Sequence, residues 1–216
     1  MEEQKGRQEQ HIEGGIPRGI LERLRRWATW RNILILWACL VVFNLGVIGP
    51  AYSKITVFSE GVDALDFLIA YRPEKAYEMI ASYGEQGRRY YATIALTLDT
   101  VFPLLSALAF GLTLVRVIGQ AFSRKDVLHR ALFVPVGAMA GDFLENAGIV
   151  TMLLSYPERL RAVALLTSSF STVKWTAVAA ESLLVVIGLV AWVIQVIGER
   201  RRDGKDHQKT DGARDT

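Results

Sequence analysis

The chain has 216 residues, of which 51% are hydrophobic and 22% are charged, and its formal net charge at pH 7 is +3. This length is typical of one domain, and a single cysteine, Cys39, excludes an intramolecular disulfide and a metal site built from paired cysteines. Much of the positive charge lies near the ends of the chain, so we expect anionic lipid headgroups as partners. These basic regions lack the interleaved aromatic residues that stack on bases, so we expect no nucleic acid as a partner.

The N-terminal region predicts a polar tail followed by a surface helix. Residues 1–15 are mostly polar and predict a disordered cytoplasmic tail. Residues 16–31 alternate apolar and basic residues at helical spacing, which predicts an amphipathic juxtamembrane helix. Its apolar face is formed by Ile16, Ile20, Leu24 and Trp27. Residues 199–216 are polar and basic and predict a second disordered cytoplasmic tail.

Four apolar segments are long enough to approach the roughly 20 residues that cross a bilayer core. They are residues 33–49, 92–118, 131–154 and 173–197. Gly49-Pro50 is predicted to end the first helix, because proline lacks a backbone donor. None of the segments shows the two-residue alternation of a membrane strand. The predicted fold is therefore an all-α integral membrane four-helix bundle, residues 32–198.

The connection over residues 51–91 is unusually long, at about forty residues, and predicts structure of its own. Pro73 suits the first turn of a helix and Gly84 suits its end. A second short helix is predicted over residues 61–70. Two interpretations remain open: the segment packs on the bundle as a lid, or it gates a cavity.

Basic residues near the predicted membrane ends indicate the orientation. They cluster before the first segment, between the second and third, and after the fourth, at Arg18, Arg23, Arg25, Arg26, Arg31, Arg116, Arg124, Lys125, Arg130, Arg200, Arg201, Arg202 and Lys205. An even number of crossings places all three clusters on one side. We expect that side, and both termini, to be cytoplasmic.

Ionisable and amide residues inside the predicted segments are the candidates for function. A charged residue near the centre of a membrane helix costs roughly 2.5–3.5 kcal/mol on the insertion scale. At about 1.5 Å of rise per residue, the predicted segments place polar groups at a similar depth, about 8–13 Å from the outer ends. The candidate polar site is Asn44, Asp99, Asp142, Glu145, Asn146, Lys174 and Glu181, with Arg88 as an additional cation.

The carboxylates of this site need compensating positive charge, from protons, from Lys174 or from a bound metal. Carboxylate and amide oxygens suit Mg²⁺, Ca²⁺ or Mn²⁺, and the candidate ligands are Asp99, Asp142 and Glu145. No cofactor is indicated. The sequence contains no HExxH, GxSxG, Walker or GxGxxG motif, and the histidines lie outside the spans or at their ends.

Six short motifs occur in order along the chain. They are Tyr71-x-Pro73-Glu74-x-Ala76-Tyr77, Tyr83-Gly84-x-x-Gly87-Arg88-x-x-Tyr91, Asp99-x-x-Phe102-Pro103, Asp142-x-x-Glu145-Asn146, Tyr156-Pro157 and Lys174-Trp175. This pattern resembles an uncharacterised family of small four-helix integral membrane proteins of bacteria, over residues 33–197. The resemblance implies a bacterial cytoplasmic membrane and a shared site that includes Gly87 and Arg88, but no activity. Glu181 is not part of the pattern.

Three functions are compatible with the sequence. The first is a binding or transport protein whose polar site holds a cation, a proton or a lipid headgroup; no inverted repeat is evident. The second is an intramembrane enzyme on a lipid or isoprenoid-like substrate, with Asp99 or Glu145 as acid or base. The third is a structural or accessory subunit. Small residues at Gly111, Gly137, Gly141 and Gly148 allow close helix contacts within the chain or in a homo-oligomer.

Overall fold

The structure is a computed structural model, and it describes residues 18–121 and 125–212. The predicted tail at residues 1–15 therefore lies outside the described residues. The described chain is all-helical and contains no strand. Its helices are α1 (Arg18–Trp27), α2 (Trp30–Phe43), α3 (Gly49–Phe58), α4 (Pro73–Ser82), α5 (Gly84–Leu96), α6 (Leu98–Ala121), α7 (Lys125–Ser155) and α8 (Arg161–Gly212).

The predicted amphipathic helix over residues 16–31 is divided in the structure. Helix α1 ends at Trp27, and Thr29 caps the start of α2 by accepting a hydrogen bond from the Asn32 backbone nitrogen. Such a cap satisfies a backbone donor that the first turn of a helix leaves free. Leu21 of α1 is buried, whereas Ile20 and Trp27 are exposed on its surface.

The first apolar helix does not stop at Gly49-Pro50 as predicted. A π-helical turn, Asn44–Ile48, joins α2 to α3, so the helix is continuous to Phe58. The Gly49 nitrogen donates to the Asn44 carbonyl, five residues back. A wider turn accommodates the proline ring, which would otherwise meet the carbonyl four residues before it. The first residues of the predicted outer segment, 51–58, therefore belong to this helix.

The outer segment contains one of its two predicted helices. Helix α4 occupies Pro73–Ser82, and Gly84 follows with a φ of +62°, a conformation that glycine adopts readily. The second helix, predicted over residues 61–70, is only a 3₁₀ turn at Leu65–Phe67. The backbone beyond this turn is bound by α8 instead, because Ser171 and Thr172 donate to the carbonyls of Leu68 and Ile69.

The later helices are longer than the predicted segments. Thr97 interrupts the helical backbone between α5 and α6, so residues 92–118 divide across two helices. Helix α8 begins at Arg161, twelve residues before predicted position 173, and continues to Gly212. It therefore includes residues 199–212, which were predicted to be disordered. That stretch contains no proline, and its three arginines and two lysines are compatible with a helix.

Within residues 18–121 and 125–212, three helical stretches are long and apolar enough to cross a membrane: Trp30–Phe58, Gly84–Gly119 and Arg161–Gly198. Helix α7 has 31 residues, but it is not among the three. It carries Asp142, Glu145 and Asn146 near its middle, and these residues lower its mean hydropathy. Composition alone therefore supports three of the four predicted spans, but it does not support the span at residues 131–154.

Two apolar clusters lie at opposite ends of the helices. The outer cluster combines α3, α4 and the 3₁₀ turn with α5, α7 and the start of α8, and it buries Tyr77, Tyr83 and Tyr91. The opposite cluster joins α1 and α2 to α6 and α7. Most of the buried acids lie between them. The outer segment is therefore a packed cap on the helices, which supports the first of its two interpretations.

Helices α7 and α8 approach most closely where α7 has a glycine. A Cβ atom on Gly148 would overlap the side chain of Thr167 on α8. A Cβ atom on Gly137, on the same helix, would meet nothing within 4 Å. We expect Gly148→Ala to lower the free energy of unfolding by about 1–3 kcal/mol, because an overpacked contact forces the helices apart.

Thermal unfolding of the detergent-purified protein measures this difference, with Gly137→Ala as the matched control. The control replaces glycine by the better helix former in open space, so a change of less than about 1 kcal/mol in the stabilising direction is expected. Equal melting temperatures for the two variants would contradict the close contact.

Candidate functional site

A lysine surrounded by three carboxylates forms the centre of the site. The Nζ atom of Lys174 lies 2.5 Å from Asp66 Oδ1, 2.5 Å from Glu145 Oε2 and 3.3 Å from Asp142 Oδ1. All four residues are at most 8% exposed. We call this set of four residues the ammonium–carboxylate cluster. The charge of the buried ammonium is compensated by these surrounding carboxylates.

The chain positions these four residues from three elements. Asp142 and Glu145 are three residues apart and share one face of α7. Gly141 allows α8 to come near, since a Cβ there would lie 3.3 Å from the Lys174 backbone nitrogen. The remaining carboxylate belongs to Asp66, which lies in the 3₁₀ turn of the outer segment.

Asp66 is the residue that the sequence interpretation missed. It is not among the site residues predicted from the sequence, whereas the structure buries it against Lys174. The Asp66 backbone nitrogen donates to the Tyr91 hydroxyl at 3.1 Å, and Lys174 Nζ also donates to the Asp66 carbonyl at 3.4 Å. Its apolar surroundings, in the sequence DALDFLIA, were the available signal, but spacing along the chain could not show which helix it faces.

Asp99 joins the cluster through a tyrosine. The Tyr52 hydroxyl lies 2.7 Å from Asp99 Oδ2 and 3.4 Å from Asp66 Oδ2. Tyr52 projects from α3, the helix that was predicted to end before it. Asp99 is 4% exposed and has no cationic partner among the described residues.

The other predicted site residues are placed differently. Asn146 Nδ2 lies 3.4 Å from Asp142 Oδ2, at the edge of the cluster. Arg88 is not near the cluster; its guanidinium lies 4.2 Å from the ring centroid of Tyr156 and donates to the Ile80 carbonyl. Helix α5 points Arg88 toward the end of α7, so its predicted role as a cation of the site is not supported by the geometry.

Glu181 is buried apart from the cluster. It follows Lys174 by seven residues on α8, which corresponds to about 10 Å along the helix axis. Glu181 is 1% exposed, and its Oε2 atom has no hydrogen-bond partner in the described chain. An unpaired buried carboxyl group is costly, so its presence requires an explanation.

A partly open cavity of about 360 Å³ lies beside these residues. Its polar lining includes Asn44, Tyr52, Asp66, Asp99, Asp142, Lys174 and Glu181. Six lining residues are aromatic: Trp37, Tyr52, Phe67, Phe102, Phe110 and Trp175. Glu145 and Asn146 do not line it. Five of the eight predicted site residues therefore share one cavity.

The geometry bears on the predicted metal site. Asp66, Asp142 and Glu145 have ligand atoms within 4.8 Å of one another, which is a spacing that a metal ion could bridge. The ammonium of Lys174 already lies among these oxygens, within 3.3 Å of all three carboxylates. A metal would have to displace it, so the lysine is the cation that fits this position. Asp99, a predicted ligand, is not part of the triplet.

Tyr71, in the outer segment, lies near the charged groups of the cluster. Its backbone nitrogen donates to Ser168 Oγ at 2.9 Å. Burial raises the pKa of the Tyr71 phenol well above its usual range, and the nearby acids Glu145 and Asp66 raise it further. The phenol therefore stays protonated and supplies no negative charge to the site.

Comparisons with protein-family models, with curated proteins and with solved structures find no match to this chain.

Replacing Lys174 tests the cluster directly. We expect Lys174→Met to lower the free energy of unfolding by about 3–5 kcal/mol, because it leaves buried carboxylates without their cation. Lys75→Met is the matched control: Lys75 pairs with Glu78 at 3.3 Å, but its side chain is 54% exposed. The control should change stability by less than about 1 kcal/mol.

Chemical or thermal unfolding in detergent measures both variants. A Lys174→Met protein as stable as Lys75→Met would show that the buried pairs do not hold the helices together.

Proposed function

We propose that the protein crosses a bacterial cytoplasmic membrane four times, with both termini in the cytoplasm. The crossings are the continuous helix Trp30–Phe58, helices α5 and α6, helix α7, and the first part of α8. Three of these stretches have suitable length and composition. Helix α7 packs between α6 and α8, and the basic flanks at the cytoplasmic ends would contact anionic lipid headgroups.

The ammonium–carboxylate cluster supports the crossing of α7. The two acids that α7 contributes, Asp142 and Glu145, face Lys174 and are buried, so they would not contact lipid. Polar residues inside membranes are tolerated when they face the bundle interior and pair with one another. At about 1.5 Å per residue, the 31 residues of α7 exceed the hydrocarbon thickness.

We propose further that the cavity binds a positively charged ligand. The observation that carries this proposal is the position of Asp99 and Glu181. Both acids are buried, both line the cavity, and neither has a cationic partner in the described chain. Lys174 forms its ion pairs with the other three acids.

Charge favours a binding or transport role over the other two functions. Interhelical hydrogen bonds in membranes contribute only about 0.6 kcal/mol on average, so a purely structural network gives little reason to bury unpaired acids. An enzyme would need a positioned substrate and a group to react with it, and the geometry does not single out such a pair. Bound protons also neutralise these acids, and a positively charged ligand would take the place of those protons.

The topology can be tested with reporter fusions. We expect green fluorescent protein fused after residue 216 to fluoresce, because it folds in the cytoplasm. Alkaline phosphatase fused after residue 158 should be active, because the α7–α8 connection is expected outside. If α7 does not cross, residue 158 lies in the cytoplasm and residue 216 lies outside, so neither reporter will be active.

Native mass spectrometry with elemental analysis tests the bound ligand. We expect gently purified wild type to carry a stoichiometric non-protein mass, and Asp99→Asn to lose it while remaining folded. Asparagine keeps an acceptor for the Tyr52 hydroxyl, so this variant removes charge with little change in shape. Glu78→Gln, at an exposed surface position, is the control. Wild type that is folded and empty would contradict the proposal and favour a structural role.

A further inference from the structure

The cavity combines isolated negative charge with aromatic walls. Glu181 is 1% exposed, and its Oε2 atom lacks a hydrogen-bond partner among the described residues. It lines the same cavity as Trp37, Phe110 and Trp175. We propose that this cavity binds a hydrophobic organic cation, such as a lipophilic ammonium or phosphonium, with Glu181 as its counter-charge. This inference rests on the proposed function and specifies its ligand class.

The surroundings of Glu181 disfavour an inorganic cation. Mg²⁺ and Ca²⁺ require six or more oxygen ligands. In the described part of the chain, the one group of three metal-compatible side chains is Asp66, Asp142 and Glu145, and Glu181 is not a member. Lys174 already occupies that group. Glu181 is therefore a lone carboxylate, which cannot replace the hydration shell of a small ion.

The aromatic residues give the cation a favourable environment. A cation over an aromatic face is attracted by the ring, most strongly where water is excluded. Trp37 and Phe110 form an edge-to-face pair with ring centroids 4.9 Å apart. Trp37 donates its indole hydrogen to Thr113 Oγ1 at 3.1 Å, which fixes the ring at the cavity wall. A ligand with aromatic or alkyl groups would bury its apolar surface against these rings.

The cavity is large enough for a small organic cation. Trp37 and Tyr52 both line it from one continuous helix, and their separation corresponds to about 22 Å along the axis. Its volume of about 360 Å³ lies within the range of small-molecule sites. Pro103 and Pro135 also line it, where two helices lack a backbone donor. The cavity therefore has charge at isolated points and apolar surface elsewhere, as a lipophilic cation requires.

Equilibrium dialysis with radiolabelled tetraphenylphosphonium tests the inference on the full chain in neutral detergent. We expect saturable binding of one cation per chain. Tetraphenylborate has nearly the same size and the opposite charge, and it should not bind. Glu181→Gln should weaken tetraphenylphosphonium binding by at least about tenfold, because it removes a buried partner charge. Glu78→Gln, a surface substitution of the same kind, should leave it unchanged.

A second variant keeps the test informative if Glu181→Gln does not fold. Asp99→Asn neutralises the other unpaired acid and should also weaken binding. Binding that neither substitution alters would overturn the inference, because the cation would then lie outside the cavity. Equal binding of tetraphenylborate would overturn it too, because the attraction would then be apolar only.

The outcome also separates this inference from the proposed function. If wild type does not bind tetraphenylphosphonium but carries an inorganic cation in native mass spectrometry, the ligand class is wrong and cation binding stands. If wild type binds neither, both proposals fail. Binding of tetraphenylphosphonium by wild type and its loss in Glu181→Gln would support both.

Discussion

The arrangement of the helices depends on one buried ammonium group. Lys174 contacts carboxylates from α7 and from the outer segment while its own backbone belongs to α8. Each of these acids would be unfavourable in an apolar interior on its own, and the lysine would be as well. The pairing therefore requires that the 3₁₀ turn, α7 and α8 come together at one point. The outer segment acquires a fixed position because it supplies Asp66.

In the outer segment, side chains of α8 make hydrogen bonds to backbone groups that a helix would otherwise pair. Residues after the 3₁₀ turn have no helical ladder, yet Ser168, Ser171 and Thr172 of α8 satisfy their backbone groups. Buried backbone donors and acceptors must find partners, and here α8 provides them. The sequence does not reveal this role of the three hydroxyl residues, because a backbone partner distant in sequence leaves no local pattern.

Residues with a strong local signal were predictable, and those that depend on distant partners were not. Hydrophobic stretches located the helices, and Pro73 with Gly84 located α4. The expectation that polar residues of the helices face inward predicted that Asp142, Glu145 and Lys174 share one site. Spacings of three and four residues define such a helix face. Asp66 was missed because no periodicity relates a turn to a helix more than 100 residues away. Arg88 was included because its position near a predicted membrane end resembled that of a counter-ion, whereas Tyr156 binds its guanidinium instead.

The continuation of the first helix through Pro50 has a consequence for the site. Had the helix stopped there, Tyr52 would belong to a loop, and its hydroxyl could not be held 2.7 Å from Asp99 by a rigid element. The π turn at Asn44–Ile48 lets the helix pass the proline and also turns Asn44 toward the cavity. π turns within helices frequently occur at functional sites because they reorient side chains without ending the helix. The same local irregularity therefore supports the Tyr52–Asp99 contact at one end and forms part of the cavity wall at the other. This coupling explains why a sequence that carries helix-breaking residues here still forms one long helix: the irregular turn is part of the site.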